Sequence, residues 1–457
     1  MDGYYAWMLV ATAFVLVMTV PALALFYGGM TRSRSVLNMM MMSFVAFAVV
    51  GISFVLWGWS EGWGGDGVGN YNGKLIANPF DHFGLHDISW GNYIYVLFQL
   101  TFAAITAALI SGAIADRVKL SSWLVFLPVW VTLCYYPIAH NVWAGGWLSK
   151  HFVALDYAGG TVVHINAGIA GLVLAIIIGP RVGFKRDPMK PHNLTLTMLG
   201  AGLLWFGWFG FNVGSIVFTP DALSAPGKFS SQFYGETGVT FMNTTVATMA
   251  AMLGWLAMER VLHGKATSLG AASGIVAGLV AITPSCGSVN LVGALAIGAL
   301  AGIACAWAVG LKYKFGLDDS LDVVGVHLVG GIVGTLMIGF VGTVTSPQGV
   351  DGLFPVGGNG IFYGGNGTLL GHQAMAVLFT LVWSGVLTTI IGLAIKYTIG
   401  WRIDPDAEVD GIDSDQHGET AYDFGGHGGG SLSGSGASLG AAAVATSVST
   451  SKEGALA

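Results

Sequence analysis

Two histidines stand in the same nine-residue frame. Val163-His164-Ile165-Asn166-Ala167-Gly168-Ile169-Ala170-Gly171 and Val326-His327-Leu328-Val329-Gly330-Gly331-Ile332-Val333-Gly334 share the pattern V-H-x-x-x-G-I-x-G. A neutral imidazole offers one donor and one acceptor and exchanges its proton near neutral pH. A matched pair could therefore hold a small polar molecule and relay a proton. The competing reading is a hydrogen bond between the histidines, or to backbone, that only fastens two helices together. Asp156 and Asp322 precede the two histidines; each could tune proton affinity or cap a helix N-terminus. Of the other histidines, His140 falls beside a loop mouth and the rest in loops or the tail, where a solvated surface role is expected.

The elements that must carry these residues follow from composition. The chain has 457 residues, 54% hydrophobic and only 9% charged, against roughly a quarter charged in a soluble domain. An ordinary cytosolic enzyme is excluded. With 18 basic against 24 acidic residues, net −6, and no basic run, a nucleic-acid partner is excluded too. Cys134, Cys286 and Cys305 lack metal-type spacing and read as small buried residues. No cleaved signal peptide is expected at the N-terminus.

Runs of roughly 20 apolar residues, the length that spans a bilayer, occur near 5–28, 36–59, 93–115, 120–138, 158–179, 193–214, 238–261, 267–284, 289–312, 323–343 and 372–399. The expected fold is an all-α integral membrane protein of eleven transmembrane helices. With the N-terminus outside and the C-terminus inside, 15 of the 18 basic residues lie inside, leaving Lys74, Lys150 and Lys228 outside. The outer segments carry Trp57-Gly58-Trp59, Trp63-Gly64-Gly65 and Trp143-Ala144-Gly145-Gly146-Trp147, read mostly as an interfacial aromatic belt. Each histidine motif falls in the fifth span of a block of five. Because five is odd, the blocks cross in opposite senses: an inverted five-plus-five repeat with one extra helix, its working site at the repeat interface.

Further motifs give these features a context. Asp156-Tyr157-Ala158-Gly159-Gly160-Thr161-Val162-Val163-His164, Phe26-Tyr27-Gly28-Gly29-Met30, Trp208-Phe209-Gly210-Phe211-Asn212, Ile282-Thr283-Pro284 and Asp322-Val323-Val324-Gly325-Val326-His327 resemble the ammonium transporter (Amt/Mep/Rh) family, to about residue 425. The resemblance implies a homotrimer in the cell membrane with one narrow pore per subunit. It implies twin pore histidines at His164 and His327, and an outer recruitment site of Phe98, Phe102, Trp143 and Ser215. It further implies a gate of Phe102 stacked on Phe211, Trp208 lining the pore, Thr283 in the outer region, and Asp156 shaping the recruitment site from behind. Trp143 and Ser215 favour the Amt branch over the Rh branch.

The chemistry suits these side chains. A cation over aromatic faces gains about 0.5–2 kcal/mol, and Ser215 can accept an N–H. A bare cation in an apolar pore costs several kcal/mol, a penalty largely removed if ammonium leaves its proton and passes as ammonia. Taken without the resemblance, Phe98 and Phe102 at i, i+4 would read as packing. Residues 1–403 are expected to form the conducting domain and 404–424 an ordered cytoplasmic segment resembling the one that can contact PII-type signalling proteins; a disordered acidic tail is its alternative. The Gly/Ser/Ala-rich residues 425–457 are expected to be disordered. The leading function is an ammonium transporter with possible proton co-transfer. An electroneutral ammonia channel is the close rival, and a sensor signalling through the tail the more distant one. No cofactor, metal site or enzymatic activity is expected, since no nucleophile or ligand set accompanies the histidines in the spans.

Overall fold

The computed structural model describes residues 2–64, 73–344 and 358–422. Gly65 and the tail 425–457, on which expectations were placed, lie outside the described residues. Among the described residues, ten helices are long and apolar enough to cross a membrane: α1 (Asp2–Met30), α2 (Val36–Gly62), α3 (Trp90–Ile114), α4 (Leu120–His151), α5 (Gly160–Ile178), α6 (Leu194–Val213), α7 (Pro226–His263), α9 (Leu291–Phe315), α10 (Val324–Val341) and α11 (Thr368–Thr398). Between α7 and α9 lies α8 (Ser268–Ile282), apolar but only 15 residues long. The eighth expected span therefore differs from the others: the sequence stays apolar to Pro284, but the helix stops at Ile282. No strand occurs among the described residues, where β-structure is limited to two isolated bridges.

Local signals explain several helix starts. Asn193, Thr267 and Asn290 each accept a backbone N–H from three residues ahead, at 3.0, 2.9 and 2.9 Å, satisfying a donor the first turn leaves open. Two helices outrun expectation: α4 continues to His151 rather than ending near 138, and α7 begins at Pro226 rather than near 238. Its 38 residues span about 57 Å at 1.5 Å per residue, well beyond a hydrocarbon core of about 30 Å. The extra turns carry Lys228, Gln232 and Glu236, so hydropathy could not reveal them. Outward faces are apolar, as lipid contact requires: Leu253, Val292 and Ile390 are exposed.

Helix pairing repeats five positions apart. α2 packs on α3 and α4 as α7 packs on α8 and α9, and α1 meets α3 as α6 meets α8. The motif glycines permit the crossing of the two copies. A Cβ on Gly168 would stand 2.6 Å from the Leu328 backbone nitrogen, and one on Gly331 would stand 3.0 Å from Ile165 Cγ1. These equivalent glycines each face the other copy, where a larger residue would hold the helices apart.

One end of the bundle is fastened by charges that sequence reading treated as loop cations. Arg117 is fully buried and donates to the carbonyls of Gly179, Ala115, Ala113 and Asp318 and to Ser320 Oγ. Arg181 forks onto Asp318 through Nε and Nη2 at 2.9 and 2.8 Å, and reaches Asp116 at 2.9 Å. Burial alone would raise the Asp318 pKa, but the Arg181 bonds and the charges of Arg181 and Arg117 hold it below the usual carboxylate range. Three connections, α3–α4, α5–α6 and α9–α10, are thereby tied at one point.

The segment after α11 docks at the same end. α12 (Pro405–Asp410) and α13 (Ile412–His417) follow Arg402. Asp413 accepts the backbone N–H groups of Leu37 and Asn38 at 3.0 and 2.8 Å, capping α2 from outside its own sequence. His417 Nε2 meets Asn38 Oδ1 at 3.0 Å, and Glu408 accepts from Val182 N at 2.6 Å and Arg402 at 2.5 Å. One compact unit runs from Met1 to Ala421; the remainder begins at Tyr422.

Candidate functional site

Both histidines fall in a widened helical turn at the start of their helices: His164 in Gly160–Ile165 and His327 in Val324–Leu328. Widened turns of this kind gather at functional sites because they re-aim side chains. At the first copy, Asp156 Oδ1 accepts from Gly159 N and Gly160 N at 2.7 and 2.6 Å, while Oδ2 accepts from Thr161 N and Val162 N at 2.9 and 3.2 Å and from the Thr161 hydroxyl. Five donors occupy this carboxylate, so it shapes the turn and has little capacity left for a cation. At the second copy, the cap belongs to Asp319, which accepts from Val323 N and Val324 N at 3.0 and 2.8 Å. Asp322, the residue singled out by sequence, pairs with Lys312 Nζ at 2.6 Å instead. Asp319 stands eight residues before His327, the interval that separates Asp156 from His164, so the register of the repeat itself picks out Asp319 and not the nearer Asp322.

The imidazoles meet edge to edge. His164 Nδ1 and His327 Nδ1 are 3.3 Å apart, the ring centroids 5.3 Å apart and the planes 23° from parallel. They are 1% and 4% exposed. A hydrogen bond between two Nδ1 atoms requires opposite tautomers: one ring donates from Nδ1 and keeps Nε2 as an acceptor, and the other keeps N–H on Nε2. The pair therefore turns one donor and one acceptor away from itself. His164 Nε2 has no hydrogen-bond partner among the described residues although it is buried. Both rings line a narrow cavity whose other walls are apolar, including Ile105, Leu109, Trp208 and Phe211.

Aromatic rings continue the line from the pair. Trp208 stacks on His164 with centroids 5.4 Å apart and donates its indole N–H to Thr283 Oγ1 at 2.8 Å, so Thr283 fixes the Trp208 plane. Phe211 lies 6.3 Å from His164 and stacks on Phe102 at 3.9 Å, 9° from parallel. Beyond them Trp143 stands edge-on to Phe102 at 6.0 Å, its N–H donated to Asp156 O at 2.8 Å. Ser215 donates its hydroxyl to Phe211 O at 2.8 Å, leaving its lone pairs for a donor. Trp143 and Ser215 are half-buried, but Phe98 is fully buried, 4.9 Å behind Phe102. The eight sequence-selected residues other than Phe98 and the two aspartates thus form one continuous line, with Phe98 as its backing wall.

Two residues of this neighbourhood escaped sequence reading. Trp59 and Trp63, taken as belt tryptophans, are buried and stacked at 5.5 Å, and Trp63 lies 6.5 Å from Trp143. Their spacing of four on one helical turn was the available signal. His140 is buried as well, its Nε2 3.0 Å from Lys74 O.

Comparison with known proteins places nearly the whole chain in a family. The model of the Ammonium Transporter Family matches residues 6–422. Ammonium transporters of Mycobacterium tuberculosis and Aquifex aeolicus are 50% and 46% identical, each match covering 92% of this chain and 90% and 94% of the relative. Among solved structures, Mep2 of Saccharomyces cerevisiae superposes with a TM-score of 0.76 at 31% identity, covering 88% of both chains. A sensor Amt protein superposes with a TM-score of 0.78 at 27% identity, covering 91% of this chain and 98% of its own.

Proposed function

Because this chain belongs to the ammonium transporter family and is a multi-pass membrane protein, we propose that it recruits ammonium at the outer mouth, strips its proton and passes ammonia along the twin histidines. The recruitment residues are Trp143, Phe102 and Ser215, with Phe98 behind them. The aromatic faces attract the cation, and Ser215 accepts one N–H. The stacked Phe102 and Phe211 close the path and must swing aside for each passage. Below them the apolar walls penalise a charge, so the neutral species proceeds, its N–H and lone pair matched by the acceptor and donor that the tautomeric pair presents. The released proton crosses by exchange through His164 and His327, which makes uptake electrogenic. No cofactor enters the scheme.

The observation that carries this reading is the Nδ1–Nδ1 contact with a buried, unpartnered Nε2 in an apolar cavity. A pair serving only as glue would leave no polar atom facing empty space. In the same reading α8 crosses as the eleventh span, the N-terminus lies outside and the C-terminus inside, residues 1–403 conduct, and residues 404–424 form a docked cytoplasmic segment on which a PII-type protein could act. The assembly is a homotrimer. Electrophysiology on reconstituted protein tests the transport step: a saturable inward current with ammonium supports it, while ammonia flux without current would identify an electroneutral channel.

A further inference from the structure

Away from the pore, a second cavity opens between α2, α4 and α11. It is lined by Glu61 and Ile76 with Thr132, Leu133, Val382 and Val386, and has a volume of about 400 Å³. Glu61 sits in the last turn of α2, only 5% exposed, and its Oε2 accepts no hydrogen bond among the described residues. The neighbouring polar groups are already satisfied. Thr132 Oγ1 donates to Pro128 O and accepts the Trp57 indole N–H, at 2.7 and 2.8 Å, and the Trp383 indole donates to Leu133 O at 3.0 Å. One carboxyl oxygen is thus the unmet acceptor of an otherwise apolar trough. The remaining lining runs from the turn bearing Glu61 toward the middle of α4 and α11, where Leu133, Val382 and Val386 are 44%, 55% and 53% exposed.

An unpaired buried carboxylate is costly, and a trough with a charged end and an apolar length matches an amphiphile. We infer that this cavity binds one phospholipid with a primary-amine head group: the ammonium of an ethanolamine phospholipid donates to Glu61, and an acyl chain lies along Leu133, Val382 and Val386. Charge complementarity decides among lipids. A quaternary choline head carries the same charge but no N–H to donate, and a glycerol phospholipid brings net negative charge toward the carboxylate. The site is separate from the conduction path, whose lining it does not share.

The test uses the full chain, purified with its membrane lipids diluted by phosphatidylcholine, then offered phosphatidylethanolamine or phosphatidylglycerol, with retained lipids counted by native mass spectrometry. Wild-type protein is expected to retain phosphatidylethanolamine over phosphatidylcholine and phosphatidylglycerol by about tenfold, the scale of one charge-assisted hydrogen bond. Glu61→Leu should abolish that preference. Val386→Trp, which fills the trough from an exposed position and leaves the carboxyl in place, should lower retention similarly, and it covers the case in which Glu61→Leu does not fold. Equal retention of the three lipids by wild type would overturn the inference, marking the trough as bulk-lipid surface or a contact between subunits. A Glu61-dependent preference for phosphatidylglycerol would overturn the amine assignment, since it implies a carboxyl that donates.

Discussion

His164 and His327 draw their meaning from what surrounds them more than from their type. An imidazole pair in a polar interior would be a fastener; here the walls are Ile105, Leu109, Trp208 and Phe211, and the pair supplies the polar atoms of that cavity. Trp143 plays the opposite part, an apolar face held half-exposed by the bond from its indole to Asp156 O. Trp143→Leu keeps apolar bulk but removes the best cation-attracting face. We expect the ammonium concentration giving half-maximal current to rise about two- to thirty-fold, the span of a 0.5–2 kcal/mol cation–π loss, with little change in thermal stability. An unchanged concentration dependence would remove Trp143 from recruitment. The histidines were legible in the sequence because a repeated motif isolates them, whereas Trp143 was singled out only through the family resemblance. Asp319 was legible too, eight residues before His327 as Asp156 is before His164, but the nearer Asp322 was taken in its place.

Elements are held together by two devices, close approach and buried charge. Gly168 lies against the Leu328 backbone, so Gly168→Val should force the two motif copies apart and destabilise the protein by about 1–3 kcal/mol or more, measurable as a lower thermal midpoint in detergent. Unchanged stability would show that the helices can separate freely. Asp318 anchors Arg181 while Arg117 stands beside it. Removing its charge as Asp318→Asn leaves Arg181 poorly compensated, at a cost of about 3–5 kcal/mol. The pH dependence has a definite sign. The folded pKa lies below the ordinary 3.8, so the stabilisation is complete above that value and is lost as pH falls through the folded pKa. Wild type should therefore lose stability in that acid window, and Asp318→Asn should lose less of it there. Helix existence was readable from apolar runs, whereas the start of α7 and the brevity of α8 were not. The first turns of α7 are polar and supported by partners such as the Tyr157 hydroxyl on Glu236 at 2.7 Å, and α8 ends where the chain turns into Thr283-Pro284-Ser285.

At the scale of the whole molecule, the same histidine motif begins both α5 and α10, five helices apart, and the packing pairs recur at that interval. The proposed orientation puts the buried Arg117–Arg181–Asp318 clamp and the docked α12–α13 on the cytoplasmic side. Cysteines introduced near Arg186 and Lys265 should then label only after permeabilisation, and one near Lys228 should label in intact cells; external labelling near Arg186 would reverse the topology. The repeat was visible beforehand only through its histidines, because Gly, Val and Ile recur too often in this chain to signal anything alone. That the two rings touch through their Nδ1 atoms needed three dimensions. The central claim is that this contact conducts and selects. Its most direct test is the current carried by ammonium and by potassium through reconstituted wild-type, His164→Ala, His327→Ala and doubly substituted protein, with assembly checked in each. The account predicts a saturable ammonium current and no potassium current in wild type, and a folded double variant that has lost the selective ammonium current and leaks potassium. A double variant with wild-type current and selectivity would contradict it.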